Sequence, residues 1–420
     1  PPPAGNHSRF AFEFQMVHTC YIPARRLQLQ KILDEADLIR YNPPRLSVFK
    51  KTKQNDGRTP KTLKGQTDMN KASEQFLQNL LEAPSPSGYE QPAARIWREY
   101  VKPYADQLIA DVHGNSIAVL NPDAEFKFMI TGHVDEIGLL ITHIDDKGYL
   151  YTAQIGGMDP ALLIGQRVQI CTADGPVLGV IGRKAIHQMT PDERKKAVEM
   201  ENIWVDIGAS SKKDALKRVA VGDPMVIDVP YRRLNGDKIV SRATDDKAGA
   251  FVIAEVIRAL SRRKLKISVI GVATVQEEIG LRGAITSSYK IHPHAGIAVD
   301  VGFASDHPDT DPKKTGQVSL GKGPILHRGP NINPILEKEL FKAAKAHKIP
   351  TQVTAEPRGT GTDANAIQLC RGGAAAGLIS IPNRYMHTPV EVISLKDLEA
   401  CIKLLTEFLA AHPAQRDYRP

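Results

Sequence analysis

The sequence predicts an α/β fold: a mixed sheet with helices on both faces, split by a small all-β insert. Three observations carry this. Apolar, β-branched runs such as ISVIGVATV (267–275) and AGIAVDV (295–301) read as strands buried on both faces. Helical segments alternate with these runs on either side of a middle region. That middle region, residues 137–230, holds only short β-like runs separated by Gly and Asp.

Each element follows in order. Ser73 to Leu81 is a helix with an apolar FLQNLL face, and Gln91 to Val101 a second, with a proline in its first turn. Strands are expected at Gln107 to Asp111, Ser116 to Leu120 and Lys127 to Thr131. The runs LLITHI, LYTAQ, RVQICT, VLGVIG, NIWVDI and PMVIDV form the insert. Beyond it, Asp246 to Ser261 is helical, followed by the two buried strands above. Leu336 to His347 is a helix, TQVTAEP a strand, Thr362 to Arg371 a helix, GLISIP a strand and Leu395 to Ala411 a closing helix. The chain thus divides into 69–136 and 231–415, two parts of one α/β domain, with 137–230 inserted between them.

Residues 1–68 read differently. They lack a sustained period, offer only Arg25 to Tyr41 as a short helix, and lack the compact apolar segment and small-residue cleavage site of a signal peptide. We expect a disordered or non-native basic leader, with Met69 the natural start or the start of the fold. The leader carries 12 Lys/Arg against 6 Asp/Glu, so most of the formal net charge of +8 lies there. The folded body has no basic excess that would point to nucleic acid. No apolar run approaches the roughly 20 residues that span a bilayer. The four cysteines (Cys20, Cys171, Cys370, Cys401) are scattered, which argues against a disulfide framework or a thiolate metal site and suits a reducing cytoplasm.

Five places carry chemistry, each at an expected strand end or adjacent turn, where open α/β sheets bind ligands. MITGHVDEIG delivers His133, with Asp135 two residues on; alone, an HxD is an ordinary strand-end histidine. SRATDDKAGAF offers Asp245 and Asp246; one can cap the following helix while the other turns into a site. VATVQEEIGLRGA ends a buried strand in Glu277 and Glu278, which is unfavourable unless a metal or a reaction uses them. Asp300 interrupts an apolar strand. His387 follows the strand and turn ISIPNRYMHTPVE. Together these give two histidines, several carboxylates and no thiolate, a donor set for Zn²⁺, Co²⁺ or Mn²⁺. Two such ions sharing a carboxylate could activate water and polarise a carbonyl, with a separate carboxylate taking the proton.

The blocks GHVDEIG, TDDKAGA, QEEIGLRGA, AVDVGFASD, RGTGTDANAIQ and ISIPNRYMHTPVE resemble the signature blocks of the tetrahedral (TET) dinuclear metallo-aminopeptidases, some of which carry an older endoglucanase or cellulase label. The resemblance runs in order from Met69 to the C-terminus. It implies a metallopeptidase catalytic domain, and that the insert is a PDZ-like or barrel-like dimerisation domain. It further implies two divalent metals per subunit, Zn or Co before Mn. Asp245 would bridge them, His133 and Asp300 would complete one site, and Glu278 and His387 the other. Glu277 would be the general base, and Asp135 would orient His133. Gly359 to Thr362 and Asp363 would shape the substrate pocket. His327 stands nearest it among the remaining histidines, and His143, His187, His292, His294 and His307 are structural or surface residues. Short peptides are the implied substrates, and a homododecamer built from dimers the implied assembly.

Hydrolysis of N-terminal residues from short peptides is the leading function. The alternative is another dinuclear hydrolase, a dipeptidase, carboxypeptidase or N-acyl amidohydrolase, which would need a cationic group for the substrate carboxylate. Glycosidases generally use two carboxylates without paired metals.

Overall fold

The structure is a computed structural model that describes residues 69–420. The leader and its Arg25 to Tyr41 helix lie outside the described residues.

The chain begins with two amphipathic helices. Asn70 caps Lys71–Glu82 by accepting the Ser73 N–H, and Phe76, Leu77, Leu80 and Leu81 face inward. Gln91–Val101 buries Trp97. Three strands follow, β1 (Gln107–Ala110), β2 (Ser116–Leu120) and β3 (Lys127–His133). The chain then leaves this layer for β4 (Gly138–Ile144), β5 (Leu150–Ile155), β6 (Arg167–Thr172), β7 (Gly175–Arg183), β8 (Ile203–Asp206) and β9 (Pro224–Ile227). These six close a barrel in the order β4-β5-β8-β7-β6-β9, with every pair antiparallel. Alternate residues such as Leu139, Ile141, Val168, Ile170 and Val205 fill its interior.

The return path makes β10 (Arg232–Arg233) and β11 (Lys238–Ser241), then the Thr244–Leu260 helix, β12 (Ser268–Thr274), the Arg282–Ile291 helix and β13 (Ala295–Phe303). Next come β14 (Ile325–Arg328), the Pro334–Ala346 helix, β15 (Gln352–Ala355), the Asp363–Gln368 helix, β16 (Ala375–Asn383), β17 (Glu391–Ser394) and the Leu395–Ala410 helix. The main sheet has eight strands in the order β1-β2-β12-β3-β13-β16-β14-β15, and β10, β11 and β17 form a small second sheet. The central pairs β12/β3, β3/β13 and β13/β16 are parallel, while β2 and β14 join antiparallel. The mixed sheet expected from the sequence is therefore present.

Helices cover both faces. On one, Leu80, Trp97, Phe251, Ile257, Leu336 and Leu405 pack on Phe128, Ile130 and Val299. On the other, Ile291 and Ile367 pack on Met129, Ile270 and Val272. The Thr244–Leu260 helix is buried along nearly all its length and rests directly on β3. A Cβ on Gly132 would stand 2.5 Å from the Gly249 carbonyl carbon, so only glycine permits this approach.

The Arg282–Ile291 helix was absent from the sequence expectation, as were β10, β11, β14 and β17. Its centre is Thr286, Ser287 and Ser288, poor helix formers. Their hydroxyls donate to the carbonyls of Arg282, Gly283 and Ala284 one turn back, at 3.2, 2.7 and 2.6 Å.

Candidate metal centre

The carboxyl ends of β3, β12, β13 and β16 converge on one spot. His133 is the last residue of β3, in register with Thr274 at the end of β12. The chain turns through Gln276 (φ +55°) to present Glu277 and Glu278. Asp300 lies in β13 opposite Ser380 of β16. His387, also with positive φ, sits in the loop after β16. Asp245 comes from the start of the Thr244–Leu260 helix, and the Asp245–Asp246 peptide is cis. These six sequence-predicted residues, and Asp135 beside His133, are thus brought to one place.

The geometry centres on the Asp245 carboxylate. His133 Nε2 lies 3.2 Å from its Oδ1 and His387 Nε2 3.3 Å from its Oδ2. Glu278 Oε2 is 3.5 Å from His387 Nε2, and Glu277 Oε2 is 3.7 Å from His133 Nε2. Ligand atoms of His133, Asp245 and Glu278 lie within 4.8 Å of one another, and so do those of His133, Asp246 and Asp300. The two aspartates differ in their commitments. Asp246 accepts the Gly249 N–H (3.0 Å) and the His133 N–H (3.2 Å), fixing the helix start to β3, whereas both Asp245 oxygens face histidines.

Asp135 is the keystone under the turn. Its Oδ1 accepts the Glu277 N–H and its Oδ2 the Glu278 N–H, both at 3.1 Å, and Ser87 Oγ donates to Oδ2 at 2.6 Å. His133 Nδ1 approaches the Asp135 carbonyl at 3.2 Å and its Oδ1 at 3.3 Å. His387 Nδ1 approaches the carbonyl of Gly157, in the loop between β5 and β6, at 2.7 Å. Each imidazole thus has acceptors at Nδ1, which keeps the proton there and turns the Nε2 lone pair toward the carboxylates.

That arrangement fits a cation. Lone pairs on two nitrogens and several carboxylate oxygens repel one another unless protons or positive charge lie between them. Burial, reinforced by neighbouring carboxylates, holds the carboxyls of Glu277, Glu278 and Asp300 well above the usual range. The hydrogen bond to Asp245 is the main cause of the raised His387. For His133, burial opposes charge, but Asp135 and Glu277 outweigh it and raise the imidazole. Among the described residues the buried Glu278 Oε1 has no hydrogen-bond partner, the kind of orphan that a metal would satisfy.

A cavity of about 850 Å³ opens beside the cluster, with Glu277, Asp300, Phe303, His327, Thr360 and Met386 in its wall. Gly359 to Thr362 line it as the sequence implied, while Asp363 lies beneath, accepting the Thr274 hydroxyl at 2.7 Å. His327 lines it too, between the hydroxyls of Ser380 (2.8 Å) and Thr354 (3.0 Å).

Sequence reasoning missed the residues that hold the site from outside. Ser87 and Gly157 carry no local signal. Glu136 lies within GHVDEIG and forms a buried cluster with Arg242 (3.1 Å) and Lys247 (2.7 Å). Glu391 ends the quoted HTPVE run, so its place was visible but its purpose was not.

Imidazoles and carboxylates gathered at the strand ends of a mixed sheet, with a barrel inserted between its halves, define a candidate metal centre of the kind a metal-dependent hydrolase uses. Residues 114–404 match the family model described as M42 glutamyl aminopeptidase. A lysyl aminopeptidase from Pyrococcus furiosus is 37% identical over 340 residues, covering 80% of this chain and 96% of that protein. The TET aminopeptidase from the archaeon Thaumarchaeota archaeon SCGC AB-539-E09 superposes with a TM-score of 0.78 at 36% identity, covering 81% of this chain and 97% of that one. The Pyrococcus horikoshii TET1 peptidase, which can assemble into a tetrahedron or a large octahedral shell, gives a TM-score of 0.72 at 32% identity, covering 80% and 99%. The chain belongs to the M42 aminopeptidase family. It is a metal-dependent aminopeptidase, a hydrolase of peptide bonds.

Proposed function

We propose that this aminopeptidase removes N-terminal residues from short peptides with two divalent ions held by His133, Asp245, Glu278, Asp300 and His387. The observation that carries the reading is the Asp245 carboxylate, with one histidine Nε2 against each oxygen. His133 and Asp300 complete one position, Glu278 and His387 the other, and Asp245 serves both. Nitrogen and oxygen donors without thiolate suit Zn²⁺ or Co²⁺, with Mn²⁺ a third choice. When bound, such ions supply Lewis acidity toward the scissile carbonyl and toward water.

The chain's own groups do the rest. Glu277 borders the cavity, and its backbone is fixed on Asp135. It accepts a proton from the attacking water and passes it to the leaving amine. Asp135 holds His133 in the tautomer that binds metal and fixes the backbone of both glutamates. The cavity seats the N-terminal side chain.

The same reading assigns residues 69–136 and 231–415 to the catalytic domain and 137–230 to a dimerisation domain within a homododecamer. Exposed Leu178, Val180 and Ile186 on or beside β7 support pairing through the barrel. The assembly of the P. horikoshii relative supports a large oligomer. Free Cys171, Cys370 and Cys401 support a cytoplasmic location. Among the described residues no helix is long and apolar enough to cross a membrane.

The test is Glu277→Gln. It retains both metals while turnover of aminoacyl chromogenic amides falls by roughly 10²-fold or more; retained turnover removes Glu277 from the base role. Chelation abolishes wild-type activity, and Zn²⁺ or Co²⁺ restores it. Light scattering reads the assembly, and a monomeric mass refutes the dodecamer.

A further inference from the structure

We infer that Glu391 is a positioning residue that sets the distance between Asp245 and His387, and so governs the metal position that His387 completes more strongly than the other, which it reaches only through Asp245. This rests on the two-ion reading above. Glu391 opens β17 and is 2% exposed. Its Oε1 accepts the His387 N–H at 3.0 Å. Its Oε2 accepts the Asp245 N–H at 3.0 Å and the Thr244 hydroxyl at 2.9 Å. One rigid carboxylate therefore grips the backbones of two residues that lie 142 positions apart in the chain and meet at a single site. Among the described residues no Lys or Arg pairs with it, so the three donors are what make its burial tolerable.

The grip is one-sided. Asp135 fixes the backbone of Glu277 and Glu278 and the ring of His133. Nothing in that set reaches His387, whose loop is closed by the Arg384–Val392 backbone pair and anchored near the site by Glu391 and by its own ring contact to Gly157. His387 has φ +60°, a conformation that β-substituted residues rarely hold unaided. The bond to Glu391 is the one on the His387 N–H itself, inside a loop that the Arg384–Val392 pair closes. Loss of the bond leaves His133 and Asp300 undisturbed and lets His387 drift from Asp245 and Glu278.

Glu391→Gln has nearly the same volume, but its amide nitrogen cannot accept. It holds the Asp245 N–H or the His387 N–H, not both. Metal-free protein titrated with Zn²⁺ by calorimetry reads the outcome. Wild type takes up two equivalents. In Glu391→Gln one equivalent binds within about threefold of wild type, and the other weakens by roughly 10–100-fold. Turnover number falls, KM changes little, and excess Zn²⁺ recovers part of the loss. Equal weakening of both equivalents, or two unchanged affinities beside a lowered unfolding midpoint, overturns the proposal. If wild type binds a single equivalent, the two-ion reading falls, and an unchanged affinity of that equivalent in Glu391→Gln overturns the role of Glu391. Thr244→Val removes only the hydroxyl on the same oxygen. It loosens the carboxylate, weakens the His387 position more than the other though less than Glu391→Gln does, and keeps the test available should the Gln variant fail to fold; unchanged affinities in Thr244→Val then count against the proposal.

Discussion

The Lys247 ammonium lies 2.7 Å from a Glu136 carboxylate oxygen, and both side chains are buried. Arg242 reaches the other oxygen at 3.1 Å. Glu136 is where the chain departs for the barrel, and Arg242 is where it has returned. The pair therefore closes the two crossings on each other directly behind Asp135 and Asp245. Removing the single anion leaves uncompensated buried charge, which destabilises by about 3–5 kcal/mol. Glu136→Gln leaves two cations without their anion, whereas Lys247→Met leaves Glu136 still paired with Arg242. The expected order of loss in urea unfolding is Glu136→Gln greater than Lys247→Met; the reverse order refutes the view that Glu136 is the hub.

Gly132→Ala tests the contact between β3 and the helix that carries Asp245. The added methyl would overlap the Gly249 backbone at 2.5 Å, and backbone has little room to yield. We expect a loss of about 3 kcal/mol, together with weaker metal uptake, because His133 is the next residue. Normal stability and normal metal content would show that the helix shifts freely.

His327 gives a pH signature. Burial lowers its imidazole from the ordinary 6.5 to about 4. Between those values the unfolded chain binds a proton that the folded chain refuses, so stability is complete above pH 6.5 and is lost as pH falls toward 4. The slope is at most about 1.4 kcal/mol per pH unit. His327→Gln lacks this dependence, so the difference in unfolding free energy between variant and wild type must change across pH 7 to 4. A constant difference means His327 is not held neutral.

Metal loading should release protons. Burial raises the carboxyl of Asp300, and the hydrogen bond to Asp245 raises His387, so both hold protons near neutrality when metal has been chelated. A coordinating ion displaces them. Binding enthalpy at pH 7 should then vary with the ionisation enthalpy of the buffer; equal enthalpies in phosphate and Tris would contradict the protonated cluster.

Which parts were legible from residue types follows from how each part is built. β12 and β13 are long, mostly apolar runs rich in β-branched residues, broken only by Ser268, Thr274 and Asp300, and a buried strand fits them best. β14 has four residues, two of them His327 and Arg328, and is a strand only because β15 and β16 flank it. The Arg282–Ile291 helix is centred on Thr286, Ser287 and Ser288, poor helix formers whose hydroxyls are satisfied by carbonyls one turn back, so local composition argues against it and packing against the sheet decides it. The site divides the same way. His133, Asp245, Glu277, Glu278, Asp300 and His387 announce themselves because polar residues at the ends of apolar strands need a reason. Ser87, Glu136 and Glu391 act on backbone or charge partners far away in sequence, and a single chain of letters has no means of displaying that partnership.

The strand order has a consequence for synthesis. β3 ends at residue 133, yet its sheet neighbours β12 and β13 begin at 268 and 295. At roughly 5–20 residues per second, a ribosome needs on the order of ten seconds to supply the first of them. The barrel, complete by Ile227, emerges within that interval and can close while β3 still has two open edges. The nascent chain thus carries an unpaired apolar strand beside an already folded module, and this stage is where chaperones have most to protect.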